Sequence, residues 1–207
     1  MERSLAAIAE ANPPRLYIAV DGPKSENARE RQQVKACVEM ARSQSRSNRV
    51  RTLIRKENLG CGLAVSSAID WFFHEEEQGI ILEDDLVPTQ GFFEFADSAL
   101  EIYQRDSRVL SIGGFNAVPP ASTTLSGDTR FSRFPQIWGW ATWRDRWRLY
   151  QYELPHLRTV DEFLQVLRWS RYSVLETFYW QRQFRRVRQR NIDTWAYQLT
   201  YLAMRRG

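Results

Sequence analysis

Three consecutive carboxylates, Glu83, Asp84 and Asp85, end the short apolar run in "GIILEDDLVP", residues 79–88. Adjacent carboxylates repel one another, and the repulsion is relieved by protonation, by basic partners or by a divalent cation. Magnesium and manganese take oxygen ligands, and magnesium keeps coordination positions open for substrate phosphates. The triplet therefore favours a binding site for a nucleotide diphosphate.

A structural role for the same carboxylates stays open. Asp84 or Asp85 could cap a helix that starts near Gly91, and Glu83 could form an ion pair with an arginine. Against this, ligands of open parallel sheets collect at the carboxyl ends of the strands, where the triplet is expected to lie. The residues alone leave the two interpretations evenly balanced.

The elements that would position the triplet follow an α/β pattern. Apolar runs alternate with amphipathic stretches, which is typical of a mostly parallel, Rossmann-like sheet flanked by helices, with a helical carboxyl-terminal part. The expected strands cover residues 15–20, 49–56, 79–84 and 108–115. The expected helices cover residues 26–42, 63–74, 92–103, 160–169, 174–190 and 194–204.

Two stretches break the alternation. Residues 117–128, "AVPPASTTLSGD", are rich in proline and small polar residues, so we expect a long surface loop or flap. Residues 131–143, "FSRFPQIWGWATW", are aromatic and irregular. Neither is a domain linker, and residues 1–207 are expected to form a single domain.

Composition limits the class of protein. The chain has 207 residues, of which 43% are hydrophobic, enough to form one globular domain. It has no apolar run long enough to span a membrane and no signal-peptide pattern, so we expect a cytoplasmic location. Cys37 and Cys61 are too few for a disulfide framework, and both are expected to be buried.

Several motifs together carry a family resemblance. They are "NLGCGLAVSSAIDWFF", "GIILEDDLVP", "GFFEF", "FSRFPQIWGWATW" and "IDTWAYQ", in order within residues 15–202. The chain resembles the bacterial glycosyltransferase-like proteins sometimes labelled hemolytic-protein-like. More distantly, it is similar to the N-acetylglucosaminyltransferase I type of GT-A glycosyltransferase. This resemblance implies the GT-A fold.

The resemblance also implies roles for individual residues. Asp85 would bind the metal, Mn²⁺ or Mg²⁺, while Glu83 and Asp84 would contact the ribose or sugar of the donor. Asp21 would accept a hydrogen bond from the nucleobase. Asp193 would take the proton from the acceptor hydroxyl, although an aspartate before "TWAYQLTYL" is also an ordinary helix amino cap.

Aromatic and glycine residues complete the expected site. Trp140 is expected to lie beside the sugar, because tryptophan stacks on pyranose faces, whereas Trp138, Trp143 and Trp147 are expected to be structural. Gly62 is expected to let the backbone approach the nucleotide sugar, although a tight turn alone would explain it.

The implied activity is inverting, metal-dependent transfer of a sugar from a nucleotide diphosphate, most simply a uridine diphosphate sugar, to a hydroxyl acceptor. The acceptor would be a carbohydrate, a lipid-linked molecule or a protein. Such a transfer has an oxocarbenium-like transition state and an anionic leaving group, which suits a cation and an opposed base. The alternative is a non-catalytic carbohydrate- or nucleotide-binding remnant of such an enzyme.

Other functions explain less. Nucleotidyl transfer would need a phosphate-binding basic motif that we do not find, and a carbohydrate-binding module leaves the triplet unexplained. The basic run at residues 182–190, "RQFRRVRQR", is typical of a solvated helix face and leaves contact with a membrane surface open. No nucleic-acid partner is expected, and the sequence leaves the oligomeric state undetermined.

The chain departs at both ends from the proteins that it resembles, which usually continue beyond the helix in which its carboxyl end stops. They have a strand ahead of the first helix, whereas "MERSLAAIAEANPP", residues 1–14, is interpreted as the latter part of that helix. In such sheets the first strand lies centrally, between the strands at residues 16–20 and 80–82. We expect a truncated chain that is weak or inactive, in which the facing edges of these two strands are unpaired or pair directly with each other. Extending the chain upstream by that strand should raise the melting temperature.

Overall fold

The computed structural model describes residues 1–25, 27–45, 47–116, 129–155 and 159–206. Their fold is of the α/β class, as predicted. In chain order, the elements are α1 (Glu2–Ala11), β1 (Leu16–Val20), α2 (Ala28–Gln44), β2 (Val50–Ile54), α3 (Gly60–Glu75), β3 (Gln78–Ile81), α4 (Gln90–Tyr103), β4 (Ile112–Gly113), β5 (Trp140–Trp143), α5 (Arg144–Trp147), α6 (Thr159–Trp169), α7 (Val174–Arg188) and α8 (Ala196–Arg206). The expected loop at residues 117–128 lies outside the described residues.

The strands form two small sheets. β1 and β2 are parallel, with Leu16 opposite Val50. β5 lies between β3 and β4 and is antiparallel to both, with Trp140 opposite Ile81 and Gly113. A single large, mostly parallel sheet is not seen among the described strands, so this part of the expectation stays a prediction.

Strand β5 was not predicted. All four of its residues, "WATW", are buried, so the strand lacks the alternation of buried and exposed residues that marks a half-buried strand. The four-residue spacing of Trp143 and Trp147 indicated a helix, but Trp143 ends the strand and Trp147 ends the short helix α5. Both indoles are buried, as expected for structural residues.

β1 and β3 each have one edge without a strand partner among the described residues. In the described part of the chain, β1 pairs only with β2, and β3 pairs only with β5. Arg15 Nη1 and Tyr17 Oη each lie 2.7 Å from Glu76 Oε1, so the start of β1 lies near the chain that leads into β3. Direct pairing of β1 with β3 is not seen among the described residues.

The core that supports the site is aromatic. Trp140 of β5 stacks on Trp195, just before α8, with ring centroids 5.6 Å apart. Ile69 and Phe73 of α3 and Leu199 of α8 belong to the same buried cluster. This cluster holds α3, β5 and α8 together. A second cluster joins α6, α7 and α8.

Most helix predictions agree with the structure. The opening residues form α1, as expected, and the predicted helices at residues 160–169, 174–190 and 194–204 correspond to α6, α7 and α8. Helix α3 starts at Gly60, three residues before the predicted start, because the glycine-bearing segment is its first turn. None of the helices in the described residues is long and apolar enough to cross a membrane.

Candidate functional site

Glu83 lies just beyond β3, half-buried against the aromatic core. Trp195 donates its indole N–H to Glu83 Oε1 at 3.1 Å, so the expected arginine partner is replaced by an indole. Burial raises the pKa of Glu83, the indole hydrogen bond opposes the rise, and the charges of Asp85 and Asp84 add to it. The Glu83 carboxyl group therefore binds its proton more tightly in the folded protein than in the unfolded chain.

The two aspartates of the triplet are exposed and do not cap α4. Thr89 caps that helix, because its side-chain oxygen accepts the Phe92 N–H at 3.3 Å. The backbone carbonyl of Asp84 accepts hydrogen bonds from the Met1 ammonium group at 2.8 Å and the Ser4 hydroxyl at 3.0 Å. These contacts leave both carboxylates facing solvent. The capping alternative for the triplet is therefore excluded.

Asp85 lies on the wall of an open pocket of about 550 Å³. The pocket is lined mainly by apolar groups, among them Val87, Phe92, Phe115 and Trp138. Within the described residues, the Asp85 carboxylate has neither a hydrogen-bond donor nor a basic partner. A pocket of this size with one unpaired charge can hold a sugar-sized ligand and leave the carboxylate available to a cation.

The two tryptophans around Gly139 have exposures opposite to those expected. Trp140 is only 1% exposed and stacks within the core, so its ring cannot meet a sugar from solvent. Trp138 is 57% exposed, lines the pocket and packs edge-on against Phe115 at 4.7 Å. The assignment of Trp140 to the sugar site is corrected, and Trp138 is the tryptophan available to a ligand.

Asp193 caps a helix distant in sequence. Its carboxylate accepts the backbone N–H groups of Cys61 and Gly62, both at 2.7 Å. The residue at the N-cap position of α3, Leu59, has no side chain able to do this. The first turn of α8 is served instead by Thr194, whose hydroxyl accepts the Ala196 N–H at 3.2 Å.

Gly60 and Gly62 make room for that carboxylate. A Cβ added at Gly60 would collide with Asp193 Oδ2, and Gly60 has a φ of +78°, which favours glycine. A Cβ at Gly62 would lie 2.8 Å from Asp193 Oδ1 and 2.9 Å from Tyr152 Oη. The close approach expected at Gly62 is therefore occupied by a side chain of the protein.

Asp21 holds the other end of the same loop. Its Oδ2 accepts the Leu59 N–H at 3.0 Å and the side-chain amide of Asn58 at 3.0 Å. Asp21 is partly buried. Asp21 and Asp193 thus fix the backbone between Asn58 and Gly62 from two sides.

Cys61 lies close to two of the predicted site residues, Glu83 and Asp193. It is exposed, contrary to the expectation that both cysteines are buried; Cys37 is partly buried. Partial desolvation raises the pKa of the Cys61 thiol, and the charges of Glu83 and Asp193 raise it further. The structure therefore brings Glu83 and Asp193 close to the same residue.

The expected metal site would rest on one carboxylate. The described residues include no group of three or more His, Cys, Asp or Glu side chains that could hold a metal ion. Magnesium bound with a nucleotide commonly uses one or two carboxylates together with substrate phosphates and water. The unpaired Asp85 carboxylate fits that chemistry, but it does not form a complete protein site.

Three residues of the site were not foreseen. They are Trp195, which holds Glu83, and Trp138 with Phe115, which form the pocket wall. Trp195 lies two residues after Asp193, so the same segment supplies both contacts.

The chain matches no family model, no curated protein and no solved structure in the comparisons made.

Proposed function

We propose that the chain is a metal-dependent, inverting glycosyltransferase that moves a sugar from a uridine diphosphate donor to a hydroxyl acceptor. The observation that carries the proposal is the unpaired carboxylate of Asp85 on a pocket whose wall includes the exposed ring of Trp138. Such a ring can stack on the apolar face of a pyranose. The Asp85 carboxylate and the Trp138 ring line the same pocket, so one nucleotide sugar could contact both.

The carboxylate triplet would serve the donor. Asp85 would hold Mn²⁺ or Mg²⁺ together with the diphosphate, and the cation would stabilise the departing nucleotide. The exposed Asp84 would contact the ribose or the sugar. Glu83, held in place by the Trp195 indole, would contact the ribose or the sugar as well.

Asp193 would act as the base. Each carboxylate oxygen has two lone-pair directions, so accepting one N–H on each oxygen leaves capacity for an acceptor hydroxyl. The same two hydrogen bonds fix the orientation of the carboxylate, which a base in a displacement reaction needs. Gly62 and Asp21 would act by shaping the loop that presents this carboxylate.

The proposed fold is of the GT-A type. The two sheets would be parts of one larger sheet, since β1 and β3 each have an unpaired edge in the described part of the chain. Glu76, just before β3, also accepts hydrogen bonds from Arg15 and Tyr17 at the start of β1. A strand between them would satisfy both edges.

The proposal is tested by a donor hydrolysis screen over a panel of nucleotide sugars, with manganese and with a chelator. We expect release of uridine diphosphate from one donor class that depends on manganese. In parallel, uridine diphosphate should raise the melting temperature only when manganese is present. A shift with oligonucleotide that is lost at high salt, without a nucleotide effect, would contradict the proposal.

A non-catalytic binding remnant is the second candidate. It is favoured by the engagement of both Asp193 oxygens in capping α3. It predicts the manganese-dependent thermal shift without release of the nucleotide from any donor. The two assays together therefore separate the two functions.

A further inference from the structure

The turn between α6 and α7 carries a group of exposed, large apolar side chains. They are Tyr172, Val174, Leu175, Phe178 and Tyr179, which we call the α6–α7 tip. Leu175 is 85% exposed, so its side chain lies almost entirely in water. A contiguous apolar patch of this kind marks contact with a partner or a membrane more often than isolated exposed residues do.

The tip is not an extension of the core. The buried stripe of α7 contains Thr177, Trp180, Phe184 and Val187, at spacings of three and four residues. Leu175, Phe178 and Tyr179 lie off that stripe, on the outer side of the helix. The hydrophobic residues of α7 therefore form two groups, and the described residues of the protein cover only one of them.

Unpaired arginines surround the tip. Arg168, Arg171, Arg182 and Arg185 are exposed, and the described residues provide no acidic partner for them. The two glutamates of this helix pair are already engaged: Glu162 with Arg188 and Glu176 with Arg133. The remaining acid, Asp161, lies at the far end of α6. The surface around the tip is therefore basic.

We propose that the α6–α7 tip inserts into the interface of an anionic bilayer, with the surrounding arginines bound to lipid phosphates. Exposed leucine and phenylalanine supply apolar area, and tyrosine is favoured at the headgroup level. Arginine binds phosphate through paired N–H groups, and each basic residue near an anionic leaflet adds affinity. This surface is separate from the Asp85 pocket and does not depend on the proposed transfer reaction.

The charges favour a membrane over a second copy of the chain. In a symmetric dimer formed through the tip, the same arginines would face each other across the interface, and like charges brought together oppose association. An anionic lipid surface meets those arginines with opposite charge. The apolar tip and its basic surround thus suit one common partner.

The test is sedimentation of the full chain with vesicles of phosphatidylcholine alone or of equal parts phosphatidylcholine and phosphatidylglycerol. We expect binding to the anionic vesicles only, weakening as salt rises. Leu175→Ser should reduce the partition coefficient about tenfold or more, because it removes buried apolar area. Arg182→Gln with Arg185→Gln should reduce it about fivefold for each charge.

Matched controls use exposed residues elsewhere. Ile102 of α4 is 69% exposed, and Ile102→Ser should leave vesicle binding unchanged. Arg29→Gln with Arg42→Gln on α2 removes the same charge and should cost far less binding than the arginine pair on α7. Circular dichroism should show that the variants stay folded, since every altered side chain is exposed.

Three results would overturn the proposal. They are equal sedimentation with phosphatidylcholine alone, equal losses in the α2 or α4 controls, and a dimer mass at sedimentation equilibrium that Leu175→Ser converts to monomer. The third result would assign the tip to contact between copies of the chain.

Discussion

Trp195 donates its indole N–H to Glu83 across 3.1 Å, which ties the residue before α8 to the end of β3. Trp140 stacks behind Trp195, so the hydrogen bond is supported by a ring buried in the core. Glu83 is consequently held half-buried by packing that exists only in the folded protein. Its ionisation is therefore coupled to folding.

Replacing Glu83 by glutamine should raise the stability of the protein, and the gain should grow with pH. Burial raises the pKa of Glu83 in the folded state above its unfolded value. The contribution of this group is fully present below the unfolded pKa and is lost as the pH rises through the folded pKa. Glutamine has no proton to lose, so Glu83→Gln avoids the loss. Urea unfolding at a series of pH values measures the difference.

The control for this titration is Glu94→Gln, which alters an exposed glutamate on α4. Because Glu94 is exposed, the change should alter the unfolding free energy by no more than about 0.5 kcal/mol. A constant difference between Glu83→Gln and the unaltered protein across the series would show that Glu83 does not titrate as inferred.

Gly62→Ala should destabilise the protein by about 1–3 kcal/mol, the usual cost of overpacking. The added Cβ would lie 2.8 Å from both Asp193 Oδ1 and the Thr194 carbonyl oxygen. Gly91→Ala is the matched control, because nothing lies within 4 Å of a Cβ there. That change should stabilise α4 by up to about 1 kcal/mol. Denaturant unfolding of both variants gives the comparison, and equal effects would contradict the packing at Gly62.

Trp138→Ala and Trp140→Ala should separate binding from stability. Trp138 is exposed on the pocket wall, so its loss should weaken sugar-donor binding while changing the unfolding free energy by less than about 1 kcal/mol. Trp140 is buried, so its loss should cost about 3–5 kcal/mol. Donor titration and urea unfolding of each variant measure the two effects. Equal instability in both variants would contradict the assigned exposures.

Asp85→Ala and Asp193→Ala should have different consequences. Asp85 has no partner among the described residues, so its loss should leave the melting temperature unchanged. Because Asp85 is the proposed metal ligand, its loss should also abolish manganese-dependent nucleotide binding. Asp193 caps α3, so its loss should cost about 0.5–2 kcal/mol of stability, remove turnover and spare nucleotide binding. Thermal shift and product release distinguish the two variants. Comparable losses of nucleotide binding in both would mean that this division of roles is wrong.

Glu162→Ala should destabilise the helical part of the protein by about 3–5 kcal/mol, because it leaves the Arg188 guanidinium without its carboxylate in a largely buried position. The exposed pair of Glu153 and Arg190 provides the control, and Glu153→Ala should cost no more than about 1 kcal/mol. Urea unfolding measures both. Equal costs would show that burial does not set the energy of the Glu162 pair.

Sequence patterns predicted the elements whose signals are local. β1 and β2 are short runs rich in branched or aromatic residues, and β1 ends at the turn residues Asp21 and Gly22. The start of α3 was missed because glycine is a poor helix former and because the cap, Asp193, lies elsewhere in the sequence. A remote cap leaves no local pattern.

The sequence indicated the acidic residues of the candidate site but not the aromatic residues of the pocket wall, Trp138 and Phe115. The position of Asp85 after an apolar run was informative, because strand ends form the rim of a sheet. The exposures of Trp138 and Trp140 depend on the antiparallel pairing of β5 and on Gly139, whose φ of +72° turns the chain between them. Neither is visible in the order of residues alone.

The hydrogen bond from Cys61 to Asp193 joins residues 132 positions apart in the chain. Closing so long a loop carries a large entropic cost that local contacts cannot offset early in folding. The first turn of α3 should therefore acquire its cap only late, after α8 has docked on the aromatic cluster. During synthesis on the ribosome, this corner of the protein would stay incomplete until the residues of α8 emerge.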